Sequence, residues 1–242
     1  DKLTLDGKTG KARIEYLPQG KYQLKEDAVS GYITLTGIEF ELTSEHTKAQ
    51  PLQFTVSNIP TRFLLEKQDG VTKQPLKGAK FKLTDEKGNV IKLVKQEDGT
   101  YHPAKQGETG IEVLELSGDK AQAVICYLPA GKVTVTEVEG PNGYSIAAPI
   151  ATEVGTEVVL HTALAAQTED MKKHTIAETS LAVVDLPLAL KISKVHSKTQ
   201  KPLAGAGFAI KAEGALSTPL RFTVKDGVYW YDPQGNVTTI QA

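Results

Sequence analysis

Three ionisable residues stand where apolar ones are expected. Phe63, Leu65 and Lys67 share one parity on a predicted β-strand, as do Val133, Val135 and Glu137 on another and Leu181, Val183 and Asp185 on a third. Alternate strand residues point to the same side, so each charged group continues a row aimed at a core. Any one of them taken alone reads as a solvated strand end or half of a buried ion pair. Taken together, an amine, an acid and a second carboxyl group in one apolar site can form an amide. Burial favours the neutral, nucleophilic amine and the protonated, hydrogen-bond-donating acid. Glu137 would polarise the Asp185 carbonyl and relay a proton while the Lys67 amine attacks and water leaves. Rigid packing supplies the rate by holding the reactants together. The product is an isopeptide bond between distant strands, which would stabilise the fold without cysteine.

The same residue types recur. Tyr22, Leu24 and Glu26 form one row, Phe54, Val56 and Asn58 another, and Leu190, Ile192 and Lys194 a third. Glu26 is thus a second candidate acid, Asn58 a second acceptor that would release ammonia, and Lys194 a second amine.

The elements that must carry these groups are legible from turn chemistry and alternation. The stretch Tyr127 to Tyr144 (YLPAGKVTVTEVEGPNGY) reads as a turn, a β-branched strand over Lys132 to Val138, and a second turn. A weaker copy spans Tyr16 to Tyr32. Other predicted strands are Lys2 to Leu5, Ala12 to Tyr16, Ile33 to Leu42, Gln53 to Asn58, Val90 to Val94, Ile111 to Leu116, Ala121 to Tyr127, Val154 to Leu160 and Ser180 to Leu186. Asp85 to Asn89 reads as a hairpin turn, and Pro75-Leu76-Lys77-Gly78 as a turn leading into the strand around Phe81. Helix signals are poor, the best being Gln167 to Glu178 within an excursion expected to be helical or irregular. The chain reads as all-β.

A repeat organises these elements. Lys194 follows Lys67 by 127 positions (194 − 67), Pro202 follows Pro75 by the same offset, and so does Asp185 after Asn58. Shared landmarks at one offset define the architecture. Residues 61–187 form a complete unit, 1–60 supply only a C-terminal half and 188–242 only an N-terminal half. The chain is therefore expected to be a window from a tandem array, or its halves pair with each other within the chain, or they pair between molecules.

Composition limits the function. Of 242 residues, 40% are hydrophobic and 24% charged, as in ordinary globular domains, and the net charge of −1 offers no signal for nucleic acid or an anionic membrane. No apolar run approaches the roughly 20 residues of a membrane helix, and the absence of a leader or anchor suggests a mature piece. The single Cys126 excludes an intrachain disulfide and a four-cysteine zinc site.

On Lys67 before PLKGAKFKL (75–83), YLPAGKVTVTEVEGPNGY and the terminal VVDLP, the chain resembles tandem B-type domains of the collagen-adhesin (Cna B) family, which build stalks and pilins on Gram-positive bacterial surfaces. The resemblance covers essentially the whole chain. It implies tandem β-sandwiches of reversed immunoglobulin-like or transthyretin-like topology, with an isopeptide bond from Lys67 to Asp185 catalysed by Glu137. It also assigns Glu26 and Asn58 as acid and acceptor, and Lys194 as lysine, of a further domain. The first copy departs from the pattern, since Asp27-Ala28-Val29-Ser30 lacks the usual proline.

The implied function is a structural stalk or pilin segment at the cell surface or cell wall. Each bond forms once, so turnover catalysis is not expected, nor is a cofactor or metal. Partners would be neighbouring domains of the same surface protein or pilus, with a host protein or glycan as a further candidate, and no nucleic acid or membrane contact. A host-binding adhesin module and an accessory β domain of a secreted enzyme are the rival readings. The aromatic cluster Asp226-Gly227-Val228-Tyr229-Trp230-Tyr231 could serve the first of these, although packing aromatics on a strand is the plainer reading. Cys126 reads as a core thiol. His46, His102, His161, His174 and His196 lack metal-ligand spacing. Neither a sortase-recognition sequence nor a pilin lysine motif is visible.

Overall fold

The computed structural model describes residues 3–33, 38–53, 58–155, 158–160, 175–214 and 218–241. The described residues contain strands and no helix, and the chain divides into two units, 1–188 and 189–242.

In the first unit the chain builds two sheets around one core. β1 (Gly20–Leu24) and β3 (Ile38–Leu42) form a separate antiparallel pair, and the short β2 (Tyr32–Ile33) joins the start of β4 (Ile59–Asp69). The smaller core sheet holds β5 (Ala79–Thr84), β8 (Leu114–Leu116), β10 (Gly131–Glu139) and β11 (Ile150–Val154), in the order β11-β10-β5-β8. The larger contains β6 (Leu93–Lys95), β7 (Tyr101–Pro103), β9 (Gln122–Cys126), β12 (Val158–Leu160) and β13 (Thr175–Asp185), in the order β12-β13-β4-β9-β7-β6.

Alternation explains why these strands stack. Along β4 every second residue from Thr61 to Asp69 is buried, while the intervening ones are half-exposed. Phe63 and Leu65 of β4 meet Phe81 and Leu83 of β5, Val133 and Val135 of β10, and Val183 of β13 in one apolar cluster. Fully burying each such side chain contributes about 1.5–3 kcal/mol. Lys67, Glu137 and Asp185 extend these rows to one end of the core.

The decisive pairing is between the first and last strands of this core. β13 runs parallel to β4 with Val183 opposite Lys67 and Asp185 opposite Asp69. Parallel neighbours cannot be joined by a tight turn, and the whole of the intervening chain separates these two. At the end of the pair, Gly70 N–H donates to the Asp185 carbonyl at 2.7 Å. A Cβ on Gly70 would lie 2.6 Å from Leu186 Cδ2 and 3.0 Å from the Asp185 carbonyl oxygen. Only glycine lets the two backbones approach so closely.

Several expected boundaries move. The strand predicted over Val154 to Leu160 breaks at the Gly155 turn into the ends of β11 and β12. Thr175 to Glu178, expected at the end of a helix, belong instead to β13, because pairing with β12 and β4 overrides weak local propensity; residues 167–174 lie outside the described set. Ala12 to Tyr16 and Leu3 to Leu5 form no strand and stay exposed, with no sheet to pair with. Of Gln53 to Asn58, residues 54–57 lie outside the described set, and Gln53 and Asn58 themselves are not in a strand.

In the second unit β14 (Gly207–Phe208) pairs with β17 (Ile240–Gln241), and β15 (Phe222–Lys225) with β16 (Val228–Tyr231). The aromatic run is therefore on a hairpin, with Tyr229 and Tyr231 packed edge-on against the Phe222 ring. Residues 189–194 form no strand.

Candidate functional site

β4 projects Lys67 into the core end, β10 delivers Glu137 from the facing sheet, and β13 delivers Asp185 from beside β4. All three side chains have no solvent exposure. Lys67 Nζ donates to Glu137 Oε2 at 2.8 Å and lies 2.5 Å from Asp185 Oδ1. The second approach lacks the angles of a hydrogen bond, so both Asp185 oxygens are left without a hydrogen-bond partner, as is Glu137 Oε1. A buried, unsatisfied acceptor costs about 1–3 kcal/mol. This arrangement is poor as a resting ion pair and well disposed for reaction, because the amine sits against the carboxyl that would acylate it.

The surroundings tune the acid. Burial pushes the Glu137 pKa above its ordinary value, against the opposing pull of its hydrogen bond to Lys67 and of the Ala147 N–H. The 3.0 Å bond from Ala147 N–H to Oε2 fixes the carboxyl group's orientation. The Phe81 ring centroid is 5.9 Å from Lys67 Nζ, so an aromatic face closes the site on one side. Behind it, Asp69 caps the turn after β4. Its Oδ1 accepts from Val71 N–H at 2.7 Å and Thr72 N–H at 2.9 Å, and its Oδ2 accepts from the Tyr144 hydroxyl at 2.7 Å. Those donors hold the Asp69 carboxyl below its usual pKa.

Ala147, Phe81, Asp69 and Tyr144 were not singled out from sequence as parts of a site. Phe81 and Tyr144 lie inside the two key stretches, and Phe81 could have been found by parity with Leu83. The Ala147 contact is a backbone one and leaves no trace in residue type.

The other candidates are separate. Asn58 Nδ2 donates to Glu26 Oε1 at 2.8 Å, so the second acid and second acceptor do meet. Lys194 lies in the second unit and is exposed. Cys126 is buried, and burial raises its thiol pKa, as suits a core thiol rather than a nucleophile. Among the described residues no group of three or more His, Cys, Asp or Glu could hold a metal ion.

Residues 61–164 match the family model of SpaA, a prealbumin-like fold domain. The match spans less than half of the chain and makes this segment similar to that domain. It contains Lys67 and Glu137, whereas Asp185 lies beyond the matched residues. No curated protein sequence matches significantly. Among solved structures, the chain is similar to the minor pilin of Streptococcus agalactiae, at 19% identity over 79% of this chain and 69% of that one, with a TM-score of 0.40. It is similar to the shaft pilin SpaA of Lactobacillus rhamnosus GG, at 18% identity over 71% of this chain and 66% of that one, with a TM-score of 0.37. A third likeness is to the group B streptococcus pilus 2b backbone protein, at 18% identity over 62% and 48% of the two chains, with a TM-score of 0.38. Within the matched segment lie Lys67 on β4 and Glu137 on the facing β10, while β13 with Asp185 lies outside it.

Proposed function

We propose that this chain is a structural segment of a bacterial surface stalk or pilus, locked by an isopeptide bond that it forms itself. The observation that carries this reading is the buried trio of Lys67, Glu137 and Asp185, which links the first strand of the SpaA-like segment to the strand that closes the core. The neutral Lys67 amine attacks Asp185 Cγ. One amine proton passes through the Glu137 carboxyl to the departing hydroxyl, water leaves, and Glu137 ends as it began. The reaction consumes its own residues and occurs once per chain. The SpaA match supports a role in a pilus, outside the cell, with neighbouring pilus subunits as partners.

The test is the intact mass of the purified chain. A deficit of one water is expected, with a protease-resistant branched peptide joining the Lys67 and Asp185 segments. A full-length mass from protein whose Glu137 is correctly buried would overturn the reading. A host-ligand module is the second reading, favoured by one observation: Trp230 and Tyr231 of the β15–β16 hairpin are 56% and 63% exposed. It requires that Trp230→Ala abolish binding to a host matrix protein or glycan.

A further inference from the structure

Asp185 is placed by its backbone. Neither side-chain oxygen has a hydrogen-bond partner, so where the carboxyl lies relative to the Lys67 amine depends on how residues 185–188 are pinned. From the β4 side, Gly70 N–H donates to the Asp185 carbonyl at 2.7 Å. From the other side they are pinned by the segment that follows β10. Ser145 N–H donates to the Leu186 carbonyl at 2.9 Å, and Leu188 N–H donates to the Gly143 carbonyl at 2.8 Å, around an antiparallel bridge between Tyr144 and Pro187.

The Ser145 hydroxyl adds a bond of a different kind. Its Oγ accepts from Leu186 N–H at 3.0 Å. Among the described residues it is the one side chain that hydrogen-bonds the backbone of 185–188. The three backbone bonds already tie down the strand end. What the hydroxyl adds is local: the peptide unit joining Asp185 to Leu186 is now held at both ends, its carbonyl by Gly70 and its N–H by Ser145. That unit sets the direction in which the Asp185 side chain leaves the backbone.

The same segment holds the acid. Two residues on from Ser145, Ala147 N–H donates to Glu137 Oε2 at 3.0 Å. At its start, Gly140 lies against the reacting group, since a Cβ there would be 3.5 Å from Asp185 Oδ2 and 3.1 Å from Ile146 Cγ1. Residues 140–147 therefore set acid and acceptor relative to each other, while the amine arrives separately on β4.

We infer that Ser145 is a positioning residue for the Asp185 carboxyl. It touches neither reactant and carries no proton. It fixes the Asp185–Leu186 peptide so that a carboxyl with no donor of its own keeps its Cγ within reach of the Lys67 amine. This role presupposes that Lys67 and Asp185 react. A displacement of about 1 Å between reacting groups can cost about 100-fold in rate, and the hydroxyl guards against such a displacement.

The full chain is followed by intact mass from the end of a short synthesis pulse, well below its melting temperature. Wild type is expected to lose one water. Ser145→Ala should lose it about 10- to 100-fold more slowly, and Ser145→Thr, which keeps the hydroxyl, should return close to the wild-type rate. Stability is read apart from reaction in Glu137→Gln chains, which form no bond. There Ser145→Ala should lower the melting temperature by about 2–4 °C, the effect of one hydrogen bond in a unit of this size. Ser145→Ala reacting at the wild-type rate would overturn the inference, as would Ser145→Thr remaining as slow as Ser145→Ala. A fall in melting temperature that unfolds Ser145→Ala under the assay conditions would also count against it, because the hydroxyl would then hold the fold rather than the carboxyl. Wild-type chains that keep their water would instead defeat the reading of the trio, and this role with it.

Discussion

At the scale of single residues, the site sets two carboxyl groups against one amine in a space that excludes water. A buried charge with an imperfect partner is a liability, and Asp185 keeps two unsatisfied oxygens next to the Lys67 nitrogen. Forming an amide removes the charge and one of the oxygens. Glu137 is the residue whose replacement separates reaction from packing. Glu137→Gln keeps the volume but cannot relay a proton, so the water deficit should vanish from the intact mass. Stability should fall as well. A cross-link closing a loop of about 120 residues stabilises by about 5 kcal/mol through the unfolded chain. For a unit of this size that corresponds to a drop of about 10–20 °C in melting temperature, measurable by calorimetry.

At the scale of elements, the end of β4 determines whether the reactants meet. Gly70 and Asp69 form the point where β4 meets the end of β13. Gly70→Ala places a Cβ against the Asp185 backbone and should destabilise the first unit by about 1–3 kcal/mol, with slower bond formation on refolding. Asp69 gives a pH signature. Its carboxyl is held below its ordinary pKa by the Thr72, Tyr144 and Val71 donors. A group depressed on folding contributes stability above its unfolded pKa and loses it as pH falls through the folded one. Other lowered carboxyls, such as Asp85 and Asp119, share this acid limb. The difference between wild type and Asp69→Asn isolates the part due to Asp69. It should be constant above about pH 4 and shrink as pH falls further, in melting curves recorded across that range.

At the scale of the whole molecule, the parallel β4–β13 pair sets the path of mechanical load. β4 opens the core of the first unit and β13 ends it at Asp185, so a Lys67–Asp185 bond, once formed, would carry tension past everything between. The 117 residues from 68 to 184 (184 − 67) would then be shielded. Pulled from its ends, the wild-type chain should show no unfolding step for this core. Glu137→Gln should release a step of about 400 Å of contour length, at about 3.3–3.6 Å per residue. Single-molecule force spectroscopy reads the difference directly.

What the sequence determined by itself was local or periodic. Alternation placed Lys67, Glu137 and Asp185 in line with apolar rows because strand side chains repeat every two residues. Turn residues framed the Tyr127 to Tyr144 stretch, and the 127-residue offset paired Lys194 with Lys67 and Asp185 with Asn58. The all-β class followed from the same signals. What only the tertiary structure decided was non-local. Which strands become neighbours, and in which direction, depends on how whole faces are buried, so the parallel pairing that sets Lys67 beside Asp185 has no signature in either segment. The same dependence turned Thr175 to Glu178 from an expected helix into strand, and left Ala12 to Tyr16 unpaired. It set the Ala147 N–H on Glu137, and brought Glu26 to Asn58 while leaving two of their oxygens without a partner. Residue type and phase say what a side chain can do. The pairing of strands far apart in the chain decides what it meets.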